Sequence, residues 1–317
     1  MDVFRCPQHA ISTAFQPIGS LRDKLLVGKL RLSALRLTEA RISCQEDRAT
    51  GAFLREYGFS EPMIDGFFRP FYGGIFLERE LRTSSRMFQF TFRMFAEGFA
   101  TVPAQGMEEI PRQLANRLPR SAIRLNSPVM SATRNIVALT TGERLDADAV
   151  VIATDAEVAG QLVPNFSKKN IGWRSVVGMY FAADQSPLNE AIIAVNGEAR
   201  GLVNNVCVMS DVSPTYAPPG KSLVAVSVLG SPQSESLEDR VRDELVDWFG
   251  GAAKGWQHLR TYTIRKALPE QPPNNGDFRT VVQTDDGLYF CGDYGGTASI
   301  EGAIRSGITC AETILGR

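Results

Sequence analysis

The residues of this chain best placed to do chemistry lie near its C-terminal end. There Cys291-Gly292-Asp293 follows a short apolar run and leads through a glycine-rich turn into Ser299-Ile300-Glu301-Gly302-Ala303-Ile304-Arg305-Ser306-Gly307. Leu288, Tyr289 and Phe290, bounded by glycine, read as a buried strand. A carboxylate at the mouth of a strand is a pure hydrogen-bond acceptor, suited to hydroxyl groups. The helix expected from Ser299 offers unpaired N–H groups backed by the positive end of its dipole. On that helix Gly302, Ser306 and Cys310 form one row of small residues, and Ala303, Gly307 and Ala311 form another. Both rows permit close backbone approach. The pattern is a device for holding a polar ligand against a helix start.

This stretch resembles the C-terminal FAD-binding motif of the flavin amine oxidase and phytoene desaturase superfamily. The resemblance implies that Gly292 and Asp293 follow the last strand of a nucleotide-binding sheet and that the Asp293 carboxylate bonds the ribityl hydroxyls. It places Ser299, Ile300, Glu301, Gly302 and Ala303 under the flavin ring, where a helix N-terminus stabilises developing negative charge. A strand-turn-helix with no ligand is the plain structural reading of the same residues.

Two further segments agree with the resemblance. Residues 123–154 read as three strands around a hairpin at Thr141-Gly142, the last strand, Ala149-Val150-Val151-Ile152, being buried. In the family's terms Val129 lies against the adenine, and Ala153 and Thr154 end a strand that returns to the same site. An ordinary β-meander accounts for this segment equally well. The Phe67-Phe-Arg-Pro-Phe-Tyr-Gly-Gly-Ile-Phe-Leu77 run, Thr83-Ser-Ser-Arg-Met-Phe88 and Pro103-Ala-Gln-Gly-Met107 resemble a desaturase-like branch of the superfamily.

The family's opening G-x-G-x-x-G turn has no counterpart here; Gly250-Gly251 and Gly295-Gly296 have the wrong spacing. The expectation is therefore the C-terminal portion of a longer oxidoreductase. Its fold would be mixed α/β (α+β): a partial FAD-binding Rossmann-like domain interleaved with a substrate domain of antiparallel sheet plus helices. The expected division is a helical part of the substrate domain over 1–118, an FAD-domain β segment over 119–160, the antiparallel substrate-domain sheet over 161–272, and the C-terminal FAD-binding strand and helix over 273–317.

Composition constrains partners. With 317 residues, 44% hydrophobic and 22% charged, the chain reads as globular. A net charge of −1 gives no overall pull toward nucleic acid or anionic membranes. Five cysteines (6, 44, 207, 291, 310) share no C-x-x-C spacing and fit a reducing compartment: the cytoplasm, or a plastid if a transit peptide lies upstream. Two isolated histidines, His9 and His258, argue against a histidine metal site. No apolar run is long enough to span a bilayer, while membrane-surface contact stays open.

Residues 20–60 read as helical, with Leu21, Leu25, Leu26, Leu30 and Leu32 or Leu35 near the helical period, basic residues between them, and Ser20 as cap. Residues 53–99 hold 11 of the 18 Phe, as core or as the lining of an apolar pocket. Strand-like runs recur at 176–182, 191–195, 201–209, 222–229 and 258–264, with a helix over 236–249 and a crossover over 267–276. No catalytic triad or carboxylate pair emerges, and Lys266 reads as solvated. The resemblance implies FAD as cofactor and hydride transfer to it from an apolar, carotenoid- or isoprenoid-like small molecule. Amine oxidation, or a non-catalytic remnant unable to hold FAD alone, are the competing readings.

Overall fold

The computed structural model describes residues 18–163, 166, 172–198, 200–274, 282–284 and 287–316; Cys6, His9 and the end of the 267–276 crossover lie outside them. Two compact units share the chain. One gathers Met1–Gly106, Arg174–Ala267 and Pro272–Asn274; the other gathers Met107–Trp173, Leu268–Gln271 and Asn275–Arg317. The principal helices are α1 (Leu21–Arg36), α2 (Thr50–Tyr57), α3 (Arg69–Phe76), α4 (Ser85–Glu97), α5 (Glu109–Ala115), α6 (Ala156–Leu162), α7 (Leu237–Phe249) and α8 (Ile300–Leu315). The strands are β1 (Val129–Ala132), β2 (Ile136–Leu139), β3 (Arg144–Asp146), β4 (Val151–Ile152), β5 (Trp173–Ala183), β6 (Ile193–Val195), β7 (Val203–Val208), β8 (Ser222–Leu229), β9 (Gln257–Pro269), β10 (Val282–Gln283) and β11 (Tyr289–Phe290).

In the first unit α1 starts at a capping box in which Ser20 and Asp23 satisfy each other's backbone amides. The buried Asp23 carboxylate accepts from Ser20 N (2.7 Å), Ser20 Oγ (2.6 Å), Ser60 N (2.8 Å) and Ser60 Oγ (2.8 Å). It thereby ties the start of α1 to the helical turn that Ser60 caps at Glu61–Met63. The Phe-rich segment is mostly core: Phe68 and Phe88 are fully buried, and the Tyr72 and Phe88 rings sit 4.6 Å apart. Its Gly73-Gly74 pair has a steric role. A Cβ at Gly73 would stand 2.7 Å from the Glu78 carbonyl, and one at Gly74 would stand 2.8 Å from the amides of Asn204 and Asn205. Lacking both, α3 lies against β7, with buried Asn204 donating to the Pro70 carbonyl at 3.2 Å. Buried Glu78 binds Thr83 N (2.7 Å) and Oγ1 (2.8 Å) and faces Arg174 at 3.8 Å.

The same unit contains a five-stranded sheet in the order β6-β7-β8-β5-β9. Strict alternation of buried and half-buried residues along β8 puts Val224, Val226 and Val228 on one face. There they pack with Phe181, Val206, Val241 and Leu245, so α7 covers that face. The strands and helix expected over 176–264 match these elements to within three residues, except that β9 runs on to Pro269, into the expected crossover.

The second unit holds an antiparallel meander, β1-β2-β3, and a separate sheet in the order β10-β11-β4. This corrects the reading of 123–154 as three strands. The meander takes 129–146, and Val151–Ile152 leaves it to pair in parallel with β11, Val151 opposite Tyr289 and Ile152 opposite Phe290. Ile123 and Leu125 are exposed, outside any strand, after a short 3-10 turn at Arg120–Ala122. Ile152, Ala156, Ala159, Phe166, Leu288, Phe290 and Tyr294 form this unit's core, with the Phe166 and Phe290 rings stacked at 4.4 Å.

Candidate functional site

The parallel pairing of β4 and β11 brings two chain turns to one edge. Tyr289 N donates to Val150 O (3.1 Å) and Cys291 N to Ile152 O (3.1 Å), so both strands end at the same level. Beyond β4 come Ala153, Thr154 and Asp155; beyond β11 come Cys291, Gly292 and Asp293. The outer ends of parallel strands are where open α/β sheets bind ligands. Of the residues singled out in the sequence, Ala153, Thr154, Gly292 and Asp293 gather here. Val129 does not: it lies on β1 in the meander, half exposed, although Ala132 of the same strand reaches the unit's core.

Asp293 opens a single 3-10 turn, Asp293–Gly295. Partial burial raises its carboxyl pKa above the ordinary 3.8; bonds from its own amide and that of Tyr294 work against this, and the Asp155 charge reinforces it. Such a carboxylate gains from any hydroxyl donors that reach it. Gly292 is required by packing, since a Cβ would lie 2.5 Å from the Tyr294 ring. Its amide donates to Ser306 Oγ of α8 at 3.0 Å. One turn further along α8, the Cys310 thiol hydrogen-bonds the Cys291 thiol; burial raises both pKa values, that of Cys310 to about 11. The Gly302, Ser306 and Cys310 row therefore faces the strand end. The Ala303, Gly307 and Ala311 row does not pack this way, and a Cβ on Gly307 would meet nothing within 4 Å.

The turn before α8 is held by Gln271, whose Nε2 donates to Gly296 O (3.1 Å) and whose Oε1 accepts from Ala298 N (3.1 Å). Gly302 makes the closest approach of all: a Cβ there would sit 1.9 Å from the Thr297 carbonyl. Ser299 caps the helix, accepting from Gly302 N at 2.9 Å, and Ala303 N bonds Ser299 O at 3.0 Å. This corrects the expectation of a wholly open helix start. The amides of Gly302 and Ala303 are spent inside the chain, and those of Ile300 and Glu301 carry the free donor capacity among the described residues. The Glu301 side chain turns away to pair with Arg305.

Asp155 and Gln271 took no part in the sequence reading of the site, and Ser306 entered it only as one of a row of small residues. Asp155 carried a signal: it stands between a strand and a helix, and it caps α6 by accepting from Glu157 N (2.9 Å) and Val158 N (3.0 Å). Gln271 carried none, because its partners lie 25 and 27 residues away. Lys266 is exposed on β9. Among the described residues no cluster of three or more metal-ligating side chains occurs, and Cys44, Cys207, Cys291 and Cys310 are free thiols.

A model of the flavin containing amine oxidoreductase family matches residues 5–315. The chain belongs to that family. Its cofactor is FAD and it is an oxidoreductase of the flavin-dependent class. No curated protein matches the chain. Among solved structures, an oxidoreductase from Methanosarcina mazei aligns at TM-score 0.72 and 18% identity, over 92% of this chain and 73% of the other. A putrescine oxidase variant aligns at 0.68 and 14% identity, over 93% and 76%. Cyclohexylamine oxidase from Brevibacterium oxydans aligns at 0.62 and 16% identity, over 93% and 74%. These likenesses carry the fold: mixed helix and antiparallel sheet, as expected from the sequence. The residues present offer the kind of donor and acceptor set that FAD needs: a half-buried acceptor at Asp293, amides at Ile300 and Glu301 with no partner among the described residues, and two glycines that keep the backbone close. No helix among the described residues is long and apolar enough to cross a membrane.

Proposed function

We propose that the chain oxidises an apolar small molecule, an isoprenoid or carotenoid-like polyene, with FAD held at the β4–β11 edge by Asp293 and the start of α8. Bound there, the flavin supplies the hydride-accepting chemistry. The chain's own groups do the rest. Asp293 would accept from ribityl hydroxyls, the Ile300 and Glu301 amides would offer positive potential to the ring, and Gln271 fixes the turn between them. The observation that carries this reading is the strand, Gly-Asp, capped-helix unit, with Gly292 and Gly302 both too close to neighbours to bear a side chain.

The polyene class rests on the aromatic segment. Phe67, Phe71 and Phe95 form a half-exposed row, with centroids 5.7 and 5.5 Å apart, beside the buried core rings. Amines are the second reading, because two structural neighbours are amine oxidases by name. Anaerobic mixing of flavin-loaded protein with a polyene, and separately with a primary amine, tests this directly. Bleaching of the flavin's visible band by the polyene alone supports the first reading. Bleaching by the amine alone supports the second.

A further inference from the structure

The function above does not use α1, yet α1 is unusual. At the helical period Leu30 and Ala34 fall on one side and are buried, while Leu21, Leu25, Leu32 and Leu35 fall on the opposite side. Those four leucines are 69%, 77%, 55% and 43% exposed. They form a stripe roughly 20 Å long at the helical rise per residue. Basic residues border the stripe along both edges: Arg22, Lys29 and Arg36 on one, Lys24 and Arg31 on the other. The helix's single acid, Asp23, is buried against Ser20 and Ser60 and turned away from the stripe. Arg22, Lys29 and Arg36 make no ion pair with a carboxylate among the described residues; Lys29 lies over the Tyr57 ring at 5.5 Å. Arg31 donates to Ala96 O at the end of α4, and three residues beyond Ala96 the Phe99 side chain is 81% exposed.

A leucine stripe bordered by the Arg22, Lys29 and Arg36 cations has a chemically matched occupant. Apolar side chains want an apolar phase, and the flanking cations want anionic groups at its boundary. Long Lys and Arg side chains reach such a boundary while their stems stay in the apolar zone. We infer that α1 docks the first unit onto an anionic lipid surface, lying in the interface with its leucines among the acyl chains and the Arg22, Lys29 and Arg36 edge on the headgroups. The chain's overall charge of −1 conceals this feature, because the five cations are concentrated on one helix. An apolar, water-insoluble substrate would reach such a protein from the same phase.

The test uses the purified 317-residue chain and vesicles of phosphatidylcholine with and without phosphatidylserine. Co-sedimentation with the phosphatidylserine vesicles, weakened by added salt, is expected. Lys29→Glu should weaken it by about fivefold or more, since each basic residue near such a surface contributes that order of affinity. The double variant Leu25→Asn/Leu32→Asn should weaken it by at least ~tenfold through lost apolar insertion. Both changes are on exposed positions, and an unaltered thermal transition would show that the fold is intact. A wild-type chain that stays in the supernatant would overturn the inference. So would equal pelleting of wild type and double variant, or leucine-dependent self-association without vesicle binding.

Discussion

Asp23 gives the most quantitative prediction. Burial alone would raise its pKa, but bonds from the Ser20 hydroxyl, the Ser60 and Ser20 amides and the Ser60 hydroxyl outweigh that and bring it from 3.8 to about 2. A carboxyl whose folded pKa is depressed stabilises the fold above its unfolded pKa and loses that contribution as pH falls through the folded one. That displacement corresponds to about 2 kcal/mol, at 1.36 kcal/mol for each tenfold change in proton affinity. Asp23→Asn removes the titration while keeping the shape. Urea unfolding can be followed through Trp248 and Trp256, which pack with the α7 core of the same unit. The stability gap between wild type and variant should hold steady above the ordinary carboxylate range. It should then close by about 2 kcal/mol as pH falls from 3.8 to about 2. A gap that stays constant across that window would refute the assignment of four donors to this carboxylate.

Three further outcomes follow from named contacts. Gly302→Ala forces a Cβ to 1.9 Å from the Thr297 carbonyl, so it should cost about 1–3 kcal/mol and weaken flavin retention, measured by thermal melting and cofactor content. Glu78→Ala leaves Arg174 without its buried carboxylate and Thr83 without its acceptor, and should destabilise the first unit by about 3–5 kcal/mol in denaturant titration. The Asp293 carboxyl binds its proton more tightly than an ordinary carboxyl, and hydroxyl donors favour its ionised form. Flavin affinity should therefore rise as pH increases through that raised pKa, and the slope should vanish in Asp293→Asn.

Much of this was legible in the residues themselves. Alternation over 176–229 marks strands because one face of the sheet is buried under α7 and the other is not. Ser20 announces α1, and Gly-Asp after an apolar run announces β11 and its turn. What the residues withheld is partnership. Hydrophobic period cannot say that Val151–Ile152 leaves the meander to lie parallel to β11, because pairing is set by chain topology rather than by local pattern. For the same reason the grouping of Asp155 with Asp293 was hidden. Small residues along α8 were visible as two rows, but only the fold shows that one row is packed. Ser299 carried the same cap signal as Ser20, but its claim on the Gly302 amide was not drawn from it. Asp23 was not singled out in the sequence, since its burial depends on Ser60, 37 residues away.

Whether Asp293 and the start of α8 hold the flavin decides the proposed function. Titration of FAD with the purified chain, read as quenching of flavin fluorescence and repeated with Asp293→Ala, measures this most directly. Saturable binding by the wild type, weakened by ~tenfold or more in the variant as a charge-assisted acceptor is lost, is the predicted result. Equal affinity in the two proteins would contradict it.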